Sequence, residues 1–235
     1  VCRIASCIVL LSVISCSARS QDAARYSFSA FGTLSTATKL FRNADSPNDL
    51  LRDQYVPFDN FLSGGIDLRR DFPDIHLQIG LSVEYLSRNQ TYYLTSPTTF
   101  TAVPVEDGFT AVPIELSGYF PIPISTSTFH VYIGGGTGLY LGSRHYEYAG
   151  ARASAVSHKT EFGIQVLSGI EYTLAPPVSV RCEAKFRDIQ FETTNQFQQS
   201  SVHYLQHNEP LDDTPFTSRI AIDGLALNIG IVWQF

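Results

Sequence analysis

From residue 25 onward, the apolar-rich stretches of this chain alternate with a period of two, and the opposite face of the same stretches carries charge. Residues 75–86 are the cleanest case. Ile75, Leu77, Ile79, Leu81, Val83 and Tyr85 line one face; His76, Gln78, Gly80, Ser82 and Glu84 line the other. Strict alternation is the signature of a β-strand, not of a 3.6-residue helix. Seven further segments follow the same rule: residues 25–39, 58–72, 109–120, 128–148, 159–174, 178–193 and 225–235. Eight strands of this kind predict an all-β chain.

The second face decides what sort of sheet this is. It carries Asp67, Glu84, Glu115, Glu171 and Glu183 together with Arg69, Arg181, Lys185 and Arg187. A soluble barrel turns its apolar face inward, where charges of this number are exceptional. Turning the sheet inside out resolves the conflict: the apolar face meets lipid, and the nine charged groups pair within the lumen. Lipid supplies no hydrogen-bond partners, so every strand edge must be paired and the sheet must close. Closure at eight strands leaves an interior filled by side chains. The predicted fold is a closed antiparallel up-and-down transmembrane β-barrel of eight strands, with the nine charged residues as a lumen ion network.

The connections alternate in length. Residues 72–74, 121–127 and 175–177 are short turns, whereas residues 40–57, 87–108, 149–158 and 194–217 read as long polar loops. Short turns at one rim and long loops at the other are the pattern of transmembrane barrels. Aromatic girdles are expected at both interfaces, from Tyr26, Phe72, Phe120, Tyr172 and Trp233 at one and Phe58, Tyr85 and Phe109 at the other.

Residues 1–20 read as an export signal, with Arg3 at its start, an apolar stretch over residues 4–14 and small residues before Gln21. The barrel domain is then residues 21–235. Val13-Ile14-Ser15-Cys16 also has the look of a weak lipidation motif on Cys16. Of the four cysteines only Cys182 lies outside this region, so no internal disulfide is expected in a chain cut before Gln21. Acidic residues outnumber basic ones by 22 to 16, and loss of Arg3 and Arg19 widens the gap. A nucleic-acid partner, which requires a basic face, is not expected.

The last strand runs Leu225, Leu227, Ile229, Ile231, Trp233 and Phe235 along one face. Gly230, Trp233 and the terminal Phe235 resemble the C-terminal assembly signal of bacterial outer-membrane barrels. With the strand pattern, the chain resembles the small eight-stranded outer-membrane proteins of the OmpA transmembrane-domain and OmpX type. That resemblance implies an outer-membrane location, outer-membrane lipids as surroundings, insertion by the barrel-assembly machinery and a single copy as the working unit. It implies a structural or surface-binding role for the exposed loops, with a narrow porin-like channel and a lipid-modifying outer-membrane enzyme as alternatives.

No motif calls for catalysis or a cofactor. Gly134-Gly-Gly-Thr-Gly138 is followed by another strand pattern and lacks the Lys-Ser/Thr of a phosphate loop, so its glycines are expected to make room for large neighbours such as Tyr132. No histidine is followed two positions later by serine, the spacing that a lipid A deacylase of this class resemblance would place on one strand. His203 and His207, with Glu209, Asp212 and Asp213 nearby, are the weak candidates for a metal site.

Overall fold

The computed structural model describes residues 26–58, 60–126, 128–158 and 160–235. The export-signal and Cys16 readings lie outside the described residues. Eight antiparallel strands form the wall: β1 (Tyr26–Ser35), β4 (Phe61–Phe72), β5 (Leu77–Thr95), β6 (Ala102–Pro121), β7 (Phe129–Tyr148), β9 (Glu161–Ala175), β10 (Val178–Phe197) and β13 (Phe216–Gln234). Each pairs with the next, and β13 returns to β1, so the ring closes. At the seam Phe28 faces Trp233, Gly32 faces Ile229 and Ser35 faces Ala226.

Short pieces extend the wall beyond the ring. β2 (Lys39–Phe41) continues the line of β1 and pairs with β13, and β3 (Tyr55–Pro57) pairs with β2. Between them lies one turn of helix, α1 (Asp49–Arg52), capped by the Asn48 side chain, which accepts from the Leu50 amide. β8 (Ala151–His158) pairs with the upper ends of β7 and β10. β11 (Ser201–Tyr204) and β12 (His207–Pro210) form a separate hairpin. Two tight turns hold these hairpins. Ala149 and Gly150 join β7 to β8, Leu205 and Gln206 join β11 to β12, and all four have positive φ. That is the mirror-image turn whose twist matches two-residue hairpins.

Three of the segments expected as polar loops are therefore largely strand. β5 runs to Thr95 and β6 starts at Ala102, so most of residues 87–108 is a paired ladder, and residues 151–158 and much of 194–217 behave likewise. Polar outward residues hid the continuation, because strand above a membrane needs no apolar face. β6 is 20 residues long. At a rise of ~3.4 Å per residue and a tilt of ~40°, such a strand stands roughly 50 Å tall, about twice the ~25 Å apolar band of a membrane barrel. One proline interrupts a ladder: Glu84 and Tyr85 lack β6 partners opposite Pro113, which has no N–H to give.

The apolar face points outward around the ring. Leu62, Ile66, Leu81, Leu116, Ile133, Phe162, Ile164, Val166, Ile229 and Ile231 are all at least half exposed. Tyr26, Phe120, Tyr172 and Trp233 stand outward near the short-turn rim, and Phe72 is half-buried there. Arg70 extends beside them, its guanidinium 5.5 Å from the Tyr26 ring and 4.8 Å from that of Phe72. A long cation at this level keeps its charge in the headgroups while its stem stays in the apolar zone. At the opposite rim Tyr85 is exposed as expected, but Phe58 and Phe109 are not. Both are buried in the lumen, because Phe109 shares the inward parity of Ala111, Glu115 and Tyr119 on β6. His76 also departs from the expected inward position. It caps the turn Pro73–Ile75 in a left-handed conformation and is exposed.

Candidate functional site

The charged residues expected to face inward converge in the lumen, which is built in layers. Nearest the short-turn rim, Arg181 donates to Glu171 at 3.0 and 2.9 Å, and the Gln234 amide donates to the same carboxylate at 2.8 Å. Arg69 donates to Asp67 at 2.6 to 3.1 Å and reaches across the barrel to Glu183 at 2.6 Å. Its guanidinium lies 3.7 Å from the centre of the Tyr119 ring, and Tyr132 donates to Glu183 at 2.7 Å. One layer higher, Glu115 accepts from Lys185 at 2.8 Å and Tyr140 at 2.7 Å, with Arg187 Nε 3.0 Å away. Arg187 also pairs with Glu84, which accepts from Ser63 at 2.6 Å. All nine residues of the expected network are buried and ion-paired.

Large inward side chains fit because glycines face them. Phe31 points inward between Gly65 on β4 and Gly230 on β13, its two cross-strand partners. A Cβ on Gly65 would meet Phe31 Cζ at 2.6 Å, and one on Gly230 would meet Phe31 Cβ at 2.8 Å. Gly230 of the terminal motif is thus a space-maker, whereas Trp233 and Phe235 face outward. The glycines of residues 134–138 do not leave an open gap. A Cβ on Gly134 would meet Tyr119 Cδ1 at 3.1 Å, and one on Gly138 would meet Glu115 Cγ at 2.9 Å. Tyr132 lies instead over Gly169 of β9.

Above the ions the lumen turns apolar. Leu40, Phe58, Phe61, Leu86, Phe109, Ala111, Tyr140, Ile189, Phe191, Ile220 and Ile222 form one buried cluster across the barrel. Phe109 meets Phe58 and Phe61 edge-on, with ring centres 5.7 and 5.8 Å apart. This layer is absent from the expected packed, charged lumen. Its sequence signal is the inward parity of Leu86, Phe109, Ala111, Ile189 and Phe191 within the segments expected as strands, and of Ile220 and Ile222 once the count on β13 is carried back before residue 225.

A second ion layer, also not anticipated, caps the plug. Arg144 grips Asp107 with two bonds of 2.8 Å and donates to Ser218 at 2.5 Å, while Arg42 Nε stands 3.5 Å from Asp107. Two parallel bonds from one guanidinium to one carboxylate are among the stronger polar contacts available. Higher still, Ala151, Ala153, Phe197 and Leu211 pack with Tyr146, Tyr148, Val202 and Phe216. Glu209 pins the β11–β12 hairpin to the β5–β6 turn, accepting from Ser96 Oγ at 2.5 Å and Thr99 Oγ1 at 2.6 Å. Those two hydroxyls hold the Glu209 carboxyl below its usual range.

His203 and His207 sit on that hairpin. His203 Nδ1 lies 3.1 Å from Asn208 Oδ1, and Glu209 is turned away to Ser96 and Thr99. The three ligating side chains that meet among the described residues are elsewhere, at Glu106, His145 and Glu147.

No family model and no curated protein matches the chain. Solved structures do. The outer membrane protein OprG from Pseudomonas aeruginosa superposes with a TM-score of 0.57 at 14% identity, over 91% of this chain and 96% of that one. The outer membrane protein AlkL, determined in DMPC lipid bilayers, gives 0.50 at 15% identity, over 93% of this chain and 94% of that one. The likeness is one of fold, and it spans the whole wall.

Proposed function

We propose that this chain, which has the fold of small outer-membrane β-barrels, is a structural and surface-binding protein of the outer membrane that does not conduct. Its short turns face the periplasm, and its tall hairpins stand outside, where a ligand or partner would meet them. The observation that carries this reading is the apolar layer around Phe109 and Phe191, closed between two ion layers. An ion crossing the lumen would have to shed its water beside aromatic rings and break paired charges on either side, and each step is costly in a low-dielectric interior. The test is planar-bilayer recording on the refolded protein. Silence is expected, and stable current steps would favour the narrow channel instead. Envelope fractionation tests the location, and fatty-acid release from lipid A tests the non-enzymatic role. The barrel-assembly machinery remains the proposed route of insertion, with Gly230, Trp233 and Phe235 as its signal.

A further inference from the structure

We infer that Glu106, His145 and Glu147 form a binding site for a divalent transition-metal ion on the outer surface of the wall, just above the lipid belt. The argument starts from the register of β6 and β7. Val112 and Leu141 are Cα partners and the last apolar outward pair; then come Thr110 with Ser143, Gly108 with His145, and Glu106 with Glu147. Alternate residues of a strand share a face, so all three candidate ligands point outward from two paired strands. Two carboxylates directly opposite each other on one face repel, and the arrangement asks for a cation between them.

The geometry is close to that of a site. One ligand atom from each of the three residues lies within 4.8 Å of the others, and His145 Nε2 is 4.0 Å from Glu106 Oε2. Zinc binds nitrogen and carboxylate oxygen at about 2.0–2.2 Å, which sets its ligand atoms roughly 3–4 Å apart. Closing the remaining distance takes small side-chain rotations and no movement of the paired backbone. Gly108, opposite His145, is overlain by the Asn89 side chain from β5: a Cβ at Gly108 would run into Asn89 Oδ1. A third strand thus brings an amide oxygen to the row that holds the imidazole.

The donor set selects the metal. Calcium and magnesium prefer all-oxygen shells of six or more ligands. An imidazole with two carboxylates suits zinc and its first-row neighbours. Three protein donors leave the remaining positions to solvent. Arg152 is the cross-strand partner of Glu147 on its other side and is the rival countercharge.

Calorimetric titration of Zn²⁺ into the refolded full chain in detergent tests the site. One Zn²⁺ per chain is expected. H145A and E147Q should each weaken binding at least about tenfold, the scale on which disrupted metal sites lose affinity. R152Q, which removes the rival countercharge, should bind at least as tightly as the parent, and the double variant H203A/H207A should leave binding unchanged. Heat-modifiable gel migration checks that each variant folds, which outward-facing substitutions should permit. Absence of heat, retained affinity in both H145A and E147Q, or loss of binding in H203A/H207A would each overturn the assignment. Displacement of Zn²⁺ by an equal concentration of Ca²⁺ would overturn the choice of metal class.

Discussion

Tyr26 and Phe235 close the barrel as a reciprocal pair. The Tyr26 amide donates to the Phe235 carbonyl at 3.0 Å, the Phe235 amide donates back at 2.9 Å, and the two rings stack 6.0 Å apart. The first and last described strands are thereby joined at their outermost residues, on the outward face near the short-turn rim. An aromatic pair of this kind adds about 0.5–1.5 kcal/mol beyond area burial. F235A is therefore predicted to lower urea stability of the refolded barrel only modestly while sharply reducing the amount inserted in cells. Equal losses in the two measurements would reduce Phe235 to a packing residue.

Glu115 is the node of the middle ion layer, meeting Lys185, Arg187 and Tyr140. Removing it strands the Lys185 ammonium in the interior and leaves Arg187 to Glu84 alone. E115Q should cost about 3–5 kcal/mol, and E115L/K185M should recover much of that, because a broken buried pair is worse than an apolar replacement. Urea titration in detergent reads both variants; an E115Q barrel as stable as the parent would refute the node.

The apolar plug makes a separate prediction. Phe191 is fully buried and its ring lies over Gly142 of β7. F191A should cost about 3–5 kcal/mol, the usual range for emptying an aromatic site. Bilayer recordings on the same variant should stay silent, since the ion layers remain intact on both sides; new current would mean that the plug alone seals the lumen.

Two exposed apolar residues should respond differently to charge. Ile229 is 61% exposed on the lipid-facing belt, and Leu50 is 80% exposed on α1 above it. I229R is predicted to cost roughly 2–4 kcal/mol, as for a cation at mid-bilayer. L50R should fall within about 0.5 kcal/mol of the parent, as for an ordinary water-facing substitution. Similar effects from both would contradict the inverted barrel.

The Glu209 latch gives a pH dependence with a definite sign. Its carboxyl is lowered by Ser96 and Thr99, so its stabilising effect is present above the ordinary carboxylate range and is lost as pH falls through the lowered folded value. Amide exchange in β11–β12 should quicken relative to the barrel wall on acidification, and E209Q should exchange quickly at neutral pH. An acid response retained in E209Q would assign it to another group.

Parity explains both what the sequence revealed and what it concealed. On β4 and β10 the alternation is clean enough to place Asp67, Arg69, Arg181 and Arg187 inward without coordinates. Parity fixes a face, not a partner. That Arg69 reaches Glu183, and not its nearer neighbours alone, depends on how far the strands are staggered around the ring, which no local pattern encodes. The upper half was lost for a different reason. Once outward residues become polar above the lipid, alternation between apolar and polar faces fades, so residues 87–108 look like loop. Phe109 and Arg144 already carry inward parity within the segments 109–120 and 128–148, and carrying the count two residues back from Phe109 would have found Asp107. The pairing of Glu106 with Glu147 needs the β6–β7 register.

The long sequence separations across the lumen bear on how such a chain reaches its folded state. Arg69 and Glu183 are 114 residues apart, and Arg187 and Glu84 are 103 apart. No single hairpin contains either couple, so a half-built sheet would hold its counterions' places empty. Sealing the ring and neutralising its contents must then be one cooperative event, and a chain stalled before it would be driven back toward water by its own uncancelled charge.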